Sequence, residues 1–373
     1  MLSWKLSRYQ TLFVTLLVAM WLFDLLRMSW YASQPGIYEH GVGDWLINYG
    51  GGFVRRGLAG TILIYLSSLV RCRPELTVFV VRSICYLVIY GGVIWVLFKA
   101  KNFPFLLGLC LLSPACMYFP VQEAMALGRK EILIFLVSIL AFLHSEKHDR
   151  PILVLPWFFS LLLLVHEGLL FFFPLVLLVF LLVYYKEEWN WKEMVKVCFP
   201  SLFILLISMR SINVAQVHSM IKSFAPNEVM PWFKSTVFSC LNLTIWDWSS
   251  KVVSFISWKI LVEIPIICCL VSLPLLSVPR IFWASNKGKL TIRLLIATLL
   301  LQIPFFLITL DWGRWIATDC TLLTFAIMGL RIQSVRKINW LPFLILVAIY
   351  HEAWMLQGTT LGIILRTHFH KFF

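Results

Sequence analysis

The chain has 373 residues, of which 60% are hydrophobic and only 13% are charged. Its apolar runs repeatedly approach the length that crosses about 30 Å of hydrocarbon, which excludes a soluble globular core and a porin-like barrel of short alternating strands. The formal net charge is +14, but the basic residues form short clusters between apolar runs, where membrane orientation and anionic headgroups account for them. We therefore expect an all-α, polytopic membrane protein with the lipid bilayer and not nucleic acid as its partner.

The hydrophobic pattern predicts about 11 transmembrane helices in a single membrane domain, 1–373. The first span carries no small-residue cleavage site and is expected to be retained. The apolar stretch Leu58–Val70 is too short to span and predicts an amphipathic or re-entrant helix. The predicted spans cover residues 11–30, 77–98, 103–119, 131–144, 151–166, 168–185, 197–210, 252–278, 290–310, 316–331 and 338–356.

The distribution of positive charge predicts a cytoplasmic N-terminus. With that orientation the inner segments hold 16 Lys and Arg in about 55 residues, against 13 in about 123 residues outside. Two large loops, 31–76 and 211–251, then lie outside. The nine cysteines are scattered and never form a CxxC pair, so the sequence predicts no metal site, no disulfide framework and no cofactor.

The polar, glycine-rich passage that follows the first span, Glu39–Gly57, is the most unusual part of the chain. Asp44 is our candidate general base toward a hydroxyl group, with Glu39 as a weaker candidate. Gly50, Gly51 and Gly52 precede Arg55 and Arg56, and this combination of free amides and guanidiniums suits phosphate oxygens. The alternatives are that Asp44 caps the following helix and that the arginines reach to lipid headgroups.

Two further polar motifs lie between later spans. Arg129 and Lys130 stand at a predicted helix start, a position that normally favours acids, which indicates an anionic partner, although they could simply fix the span in the membrane. His166 and Glu167 divide a long apolar run and could transfer a proton or orient an acceptor, unless His166 is an ordinary turn residue. Arg82 lies a few residues into the second span.

The last motifs lie in the C-terminal third. Asp311 and Arg314 are three residues apart and can pair with each other or serve a diphosphate, beside tryptophans that suit either the membrane interface or a sugar face. The pair His351-Glu352 repeats the His-Glu sequence of His166-Glu167 and is a weaker candidate for the same role. Lys259 and Glu263 are expected to form an internal ion pair without chemistry. Under the predicted topology, the candidate site residues converge on the outer face.

This arrangement resembles the multi-spanning glycosyltransferases that use polyprenyl-phosphate sugars, the GT-C group. The passage Asp44–Gly57, together with Gly128-Arg129-Lys130-Glu131 and Asp311-Trp312-Gly313-Arg314, also looks like bacterial surface-polysaccharide proteins, including O-antigen polymerases. The resemblance implies an inner-membrane enzyme that acts at the outer leaflet on undecaprenyl-diphosphate-linked glycans, with chain-length regulators or flippases as partners. It makes Asp44 the base and places arginines on the lipid-linked phosphate. The first loop lacks the paired Asp-Asp or Asp-Glu of the best-known members.

Two other classes of function stay open at this stage. A transporter or flippase of an anionic lipid-linked sugar would use the same charges, and it would be expected to show internal repeats and broken midplane helices. A membrane acyltransferase would require a histidine in a deep polar pocket, for which His166 is the candidate.

Overall fold

A computed structural model of the chain describes residues 7–33, 40–54, 56–100, 105–113, 116–117, 120, 128–145, 148, 154–184, 214–223, 274–275, 278, 280–308 and 312–330. These residues are predominantly helical, and none of them forms a β-strand. Asp44–Leu46 and Glu167–Phe172 form 3-10 turns. The α-helices are α1 (Arg8–Ser33), α2 (His40–Gly43), α3 (Gly57–Leu69), α4 (Pro74–Lys99), α5 (Phe105–Leu111), α6 (Ile132–Ser145), α7 (Val154–Leu162), α8 (Phe173–Tyr184), α9 (Val214–Lys222), α10 (Arg280–Ala284), α11 (Asn286–Ile308) and α12 (Trp312–Gly329).

Three stretches of the described chain are long and apolar enough to cross a membrane: Arg8–Trp30, Pro74–Lys99 and Glu167–Tyr184. The first two also carry large apolar side chains on their outer faces, among them Leu26, which is 69% exposed. Such surfaces are stable against lipid tails but costly in water. The described part of the chain is therefore helical, and its apolar helices suit a membrane-embedded protein, as the composition predicts.

Several predicted elements coincide with observed helices. The predicted spans 11–30, 77–98 and 131–144 fall on α1, α4 and α6, and the short stretch Leu58–Val70 forms α3. The predicted spans 197–210 and 338–356 lie outside the described residues, as does nearly all of 252–278. The total of 11 spans stays a prediction.

The predicted span 103–119 differs from the structure, because α5 ends at Leu111. Proline follows Ser113 in the sequence, and a residue before proline disfavours helical backbone. The Ser113 hydroxyl donates to the carbonyl oxygen of Cys110 at 2.7 Å, which satisfies a backbone acceptor at the helix end. The predicted span 151–166 is also shorter in the structure, since α7 ends at Leu162 and turns follow it.

The core of the described chain is a series of packed helices. α1 packs along α4, α4 along α6, and α6 along α8, which in turn packs against α11 and α12. α3 packs on α4 and on the turn Asp44–Leu46. This packing brings together the polar segments that precede α3, α6 and α8.

Candidate functional site

Two glycines allow the first polar passage to touch the segment that precedes α6. A Cβ atom built on Gly128 would lie 2.1 Å from the Cα of Gly41, so only glycine permits this approach. The Trp45 indole N–H donates to the carbonyl oxygen of Gly128 at 2.6 Å. This crossing places Asp44 next to the run Arg129-Lys130-Glu131.

The start of α3 fixes the other side of the site. Arg56 precedes the helix with a left-handed backbone, φ 65°, which is uncommon for a residue with a side chain. A Cβ atom on Gly57 would lie 2.2 Å from the Tyr49 ring, and one on Gly60 would lie 2.0 Å from the Ile47 carbonyl oxygen. The helix therefore begins tightly against the preceding loop.

Arg56 and Glu167 form a forked ion pair across 111 residues of sequence. The Arg56 Nη2 atom donates to Glu167 Oε1 at 2.8 Å, and Nε donates to Oε2 at 2.9 Å. Two parallel charge-assisted hydrogen bonds fix both side chains more firmly than a single contact would. This pair ties the start of α3 to the turn before α8.

Asp44 lies between two cations in the protein interior. Its Oδ1 atom is 3.7 Å from Arg56 Nη1 and 3.8 Å from Lys130 Nζ. That oxygen has no hydrogen-bond partner, although the side chain is only 3% exposed. Asp44 therefore does not cap a helix through Oδ1, and its charge is balanced by ion pairs at longer range.

The electrostatics of the site keep Asp44 ionised. Burial opposes the charged carboxylate, but the cations Lys130 and Arg56 outweigh that cost and hold the pKa of Asp44 below its usual value. Burial acts against the charge of Arg56 as well, yet Glu167 and Asp44 raise the pKa of the guanidinium above its ordinary value. Both groups are charged at neutral pH.

Lys130 is fully buried and bound from three sides. Its ammonium donates to the Val165 carbonyl oxygen at 3.0 Å and to that of Arg56 at 3.4 Å, in addition to its ion pair with Asp44. Burial lowers the pKa of Lys130 to about 8, and the attraction of Asp44 only partly offsets this effect. Lys130 is thus the group at this site that titrates closest to physiological pH among those whose pKa shift is resolved.

His166 is oriented by its own turn. The Gly168 N–H donates to His166 Nδ1 at 3.1 Å, so Nδ1 is an acceptor and the neutral ring carries its proton on Nε2. Nε2 lies 3.7 Å from Glu131 Oε1, and the Trp315 ring and the imidazole form an edge-to-face contact at a centroid distance of 5.7 Å. In this arrangement His166 presents a proton donor and not a base to Glu131.

We call the set Asp44, Arg56, Lys130, Glu131, His166 and Glu167 the charged cluster. It adjoins a largely apolar cavity between α4, α6 and α12, whose wall includes Arg129 and Glu131. Glu131 belongs to both, since it faces His166 in the cluster and also lines the cavity. The remaining cavity wall consists of Tyr86, Ile89, Cys116, Met117, Pro120, Ile132, Phe135, Ala317, Thr318 and Thr321.

The three consecutive glycines do not present a row of free amides. The Gly50 N–H donates to Asn48 Oδ1 at 2.7 Å, and the Gly52 N–H donates to the Tyr49 carbonyl oxygen at 2.9 Å. A Cβ atom on Gly51 would lie 2.0 Å from the backbone oxygen of Gln216 in α9. The glycines therefore serve to seat α9 on the loop, which is a different role from the predicted phosphate cradle.

The structure brings five of the predicted site residues into one cluster: Asp44, Arg56, Lys130, His166 and Glu167. Arg129 lies beside them, half-buried on the cavity wall. Arg82 contacts the same passage elsewhere, because its Nη1 atom lies 3.4 Å from the Gly41 carbonyl oxygen. The structure does not describe the side chains of the remaining candidates, which are Glu39, Arg55, Asp311, Arg314, Lys259, Glu263, His351 and Glu352.

The sequence motifs include Glu131 and the tryptophans beside Arg314, but they assign no role to Glu131 and do not connect Trp315 with His166. Glu131 follows Lys130 directly, and an acid next to a predicted cation could have been recognised as its counter-charge. Trp315 packs against His166 and stacks on Phe172, a contact between distant segments that no spacing in the sequence reveals. Within the described part of the chain, no three His, Cys, Asp or Glu residues are placed to hold a metal ion.

Comparisons with models of protein families, with curated proteins and with solved structures gave no match to this chain.

Proposed function

We propose that this protein transfers a glycosyl group from a polyprenyl-diphosphate-linked saccharide at the outer face of a bacterial inner membrane, in the synthesis of a surface polysaccharide. The observation that carries the proposal is the position of Asp44, a buried, ionised carboxylate between Arg56 and Lys130 with one oxygen free of hydrogen bonds. We also propose the topology of about 11 spans with a cytoplasmic N-terminus.

In the proposed reaction, Asp44 accepts the proton of the acceptor hydroxyl as that oxygen bonds to the sugar's anomeric carbon. The bond between the anomeric carbon and the diphosphate oxygen breaks, and the polyprenyl diphosphate leaves with the electron pair. Because the lowered pKa keeps Asp44 ionised but weakly basic, proton transfer is expected late, when the attacking oxygen has become acidic. A carboxylate that is already ionised is available at every turnover at neutral pH.

We assign fewer arginines to the phosphate than the sequence alone suggests. Glu167 already binds Arg56 through a fork, so we assign Arg56 to the orientation of Asp44 and not to the phosphate. Arg129, which lies half-buried on the wall of the apolar cavity, is the described cation best placed for a diphosphate, with Arg55 and Arg314 as further proposed contacts.

Purified protein tests the proposal when it is incubated with undecaprenyl-diphosphate-linked oligosaccharide and the products are separated by size. Wild type should consume the lipid-linked donor and give longer glycans, whereas Asp44→Asn should not. Asp319→Asn is the matched control, because Asp319 is a comparably buried aspartate in α12, bound by Gln302 at 2.6 Å outside the charged cluster. Movement of the intact lipid-linked sugar across a vesicle membrane, without a new glycosidic bond, would identify a flippase instead.

A further inference from the structure

Another buried acid, Asp24, lies away from the charged cluster, inside the apolar stretch Arg8–Trp30 of α1. Asp24 is fully buried, and among the described residues no cation lies within ion-pair distance of it. Its Oδ1 atom has no hydrogen-bond partner. An ionised carboxylate in such a place would be very costly, and ionisable groups inside a membrane usually have a task.

The hydrogen bonds around Asp24 indicate which form it takes. The Tyr90 hydroxyl oxygen lies 3.0 Å from Asp24 Oδ2 and 3.1 Å from the carbonyl oxygen of Met117. A phenol has one proton, so it can donate fully to only one of these two acceptors. If Tyr90 donates to Met117, the short contact with Asp24 requires a proton on the carboxyl oxygen, which donates to the phenol oxygen.

We infer that Asp24 is a proton-binding site in the membrane interior. In its neutral form, the Asp24 carboxyl group donates a hydrogen bond to the Tyr90 hydroxyl, which in turn donates to the Met117 carbonyl oxygen, and we call this chain of hydrogen bonds the relay. Loss of the proton to solvent would leave a carboxylate that attracts the Tyr90 proton. The Met117 carbonyl would then lose its donor. Met117 lines the apolar cavity beside Glu131, so the protonation of Asp24 is coupled to the wall of that cavity.

The surrounding groups are compatible with a neutral acid. From α4, Tyr90 and Tyr86 lie near Asp24, and Cys116 lies near Tyr90. Arg27, one helical turn from Asp24 on α1, is a cation that acts on the Asp24 carboxyl group, and its guanidinium stands over the Phe23 ring at 5.9 Å.

Infrared spectroscopy of the full-length protein in lipid tests the inference. The spectrum of wild type minus that of Asp24→Asn should contain the carbonyl band of a protonated carboxylic acid at neutral pH, and the band should disappear at high pH. Asparagine can donate to Tyr90 as the neutral acid does, so this variant should fold, which size-exclusion chromatography checks. Asp319→Asn serves as the control for the band of another buried acid.

The variant Tyr90→Phe tests the relay. It removes the acceptor of the Asp24 proton, so the acid carbonyl band should remain and shift to higher frequency. Absence of the acid band from the difference spectrum of wild type and Asp24→Asn at neutral pH, with both proteins folded, would overturn the inference, because Asp24 would then be ionised. A band that does not shift in Tyr90→Phe would overturn the relay.

Discussion

Arg56 is the residue whose role changes most between sequence and structure. Its position after a glycine-rich passage predicts a phosphate contact, but the side chain forms a fork with Glu167 and its backbone adopts a left-handed conformation. A residue held in an unfavourable backbone region by its surroundings is often part of a functional site. We therefore regard Arg56 as the residue that orients Asp44 and joins α3 to the turn before α8.

The fork predicts a measurable coupling between its two members. In a double-mutant cycle of Arg56→Gln and Glu167→Gln, the coupling free energy should be about 1–2 kcal/mol, above the usual value for exposed ion pairs, because both side chains are about three-quarters buried. Unfolding in mixed detergent micelles measures it. A parallel cycle of Arg56→Gln with Glu75→Gln, a buried glutamate at the start of α4, should give a value near zero. Equal coupling in both cycles would show that the fork has no special role.

The pKa of Lys130 predicts that the enzyme loses activity at alkaline pH. Its pKa of about 8 means that the ammonium form dominates below that pH and is lost above it. If the Lys130 ammonium is needed to hold Asp44 in position, the rate should fall as the pH rises, with a midpoint near pH 8. Lys130→Arg should move that limb to higher pH, since a guanidinium stays protonated. The pH profile of kcat for folded protein checks this, and an unchanged limb in Lys130→Arg would assign the titration to another group.

At the scale of elements, the existence of helices was predictable, and so were the bounds of α1, α4 and α6 to within a few residues, but the early ends of α5 and α7 were not. Continuous apolar runs gave α1, α4 and α6 because hydrocarbon leaves helical backbone as the stable choice. The early end of α5 follows from Ser113 and the proline after it. The predicted span ran past this local signal because the apolar residues continue beyond it. Five of the six residues of the charged cluster were predicted from the sequence, but their pairing was not, because the fork of Arg56 with Glu167 depends on how distant helices pack.

The crossing of Gly41 and Gly128 provides a test at the level of packing. Gly128→Ala should lower the free energy of unfolding by about 1–3 kcal/mol, because the new methyl group forces the two backbones apart. It should also reduce activity by moving Lys130 away from Asp44. Thermal unfolding and the glycan assay measure the two effects.

Gly91→Ala is the matched control for that substitution. Gly91 lies within α4, and a Cβ atom there meets nothing within 4 Å. Alanine should therefore stabilise this helix by about 0.5–1 kcal/mol through its backbone preference. If Gly128→Ala behaved like Gly91→Ala, the close approach of Gly41 and Gly128 would be unimportant.

For the whole molecule, the predicted orientation places the end of α3 outside and the start of α11 inside. In a cysteine-free background, Ser68→Cys should react with a membrane-impermeant thiol reagent added to intact cells, whereas Lys289→Cys should react only after the membrane is opened. Both positions are exposed in the structure. The opposite pattern would place the charged cluster on the cytoplasmic side and contradict transfer at the outer face.

The central claim is that Asp44 accepts a proton during glycosyl transfer, and the rate of the Asp44→Asn protein on lipid-linked oligosaccharide tests it most directly. Asparagine keeps the size of the side chain but removes its charge and basicity. We predict that kcat/KM falls by about 100-fold or more, while Asp319→Asn stays close to wild type and both variants remain folded. A folded Asp44→Asn protein with the wild-type rate would contradict the account.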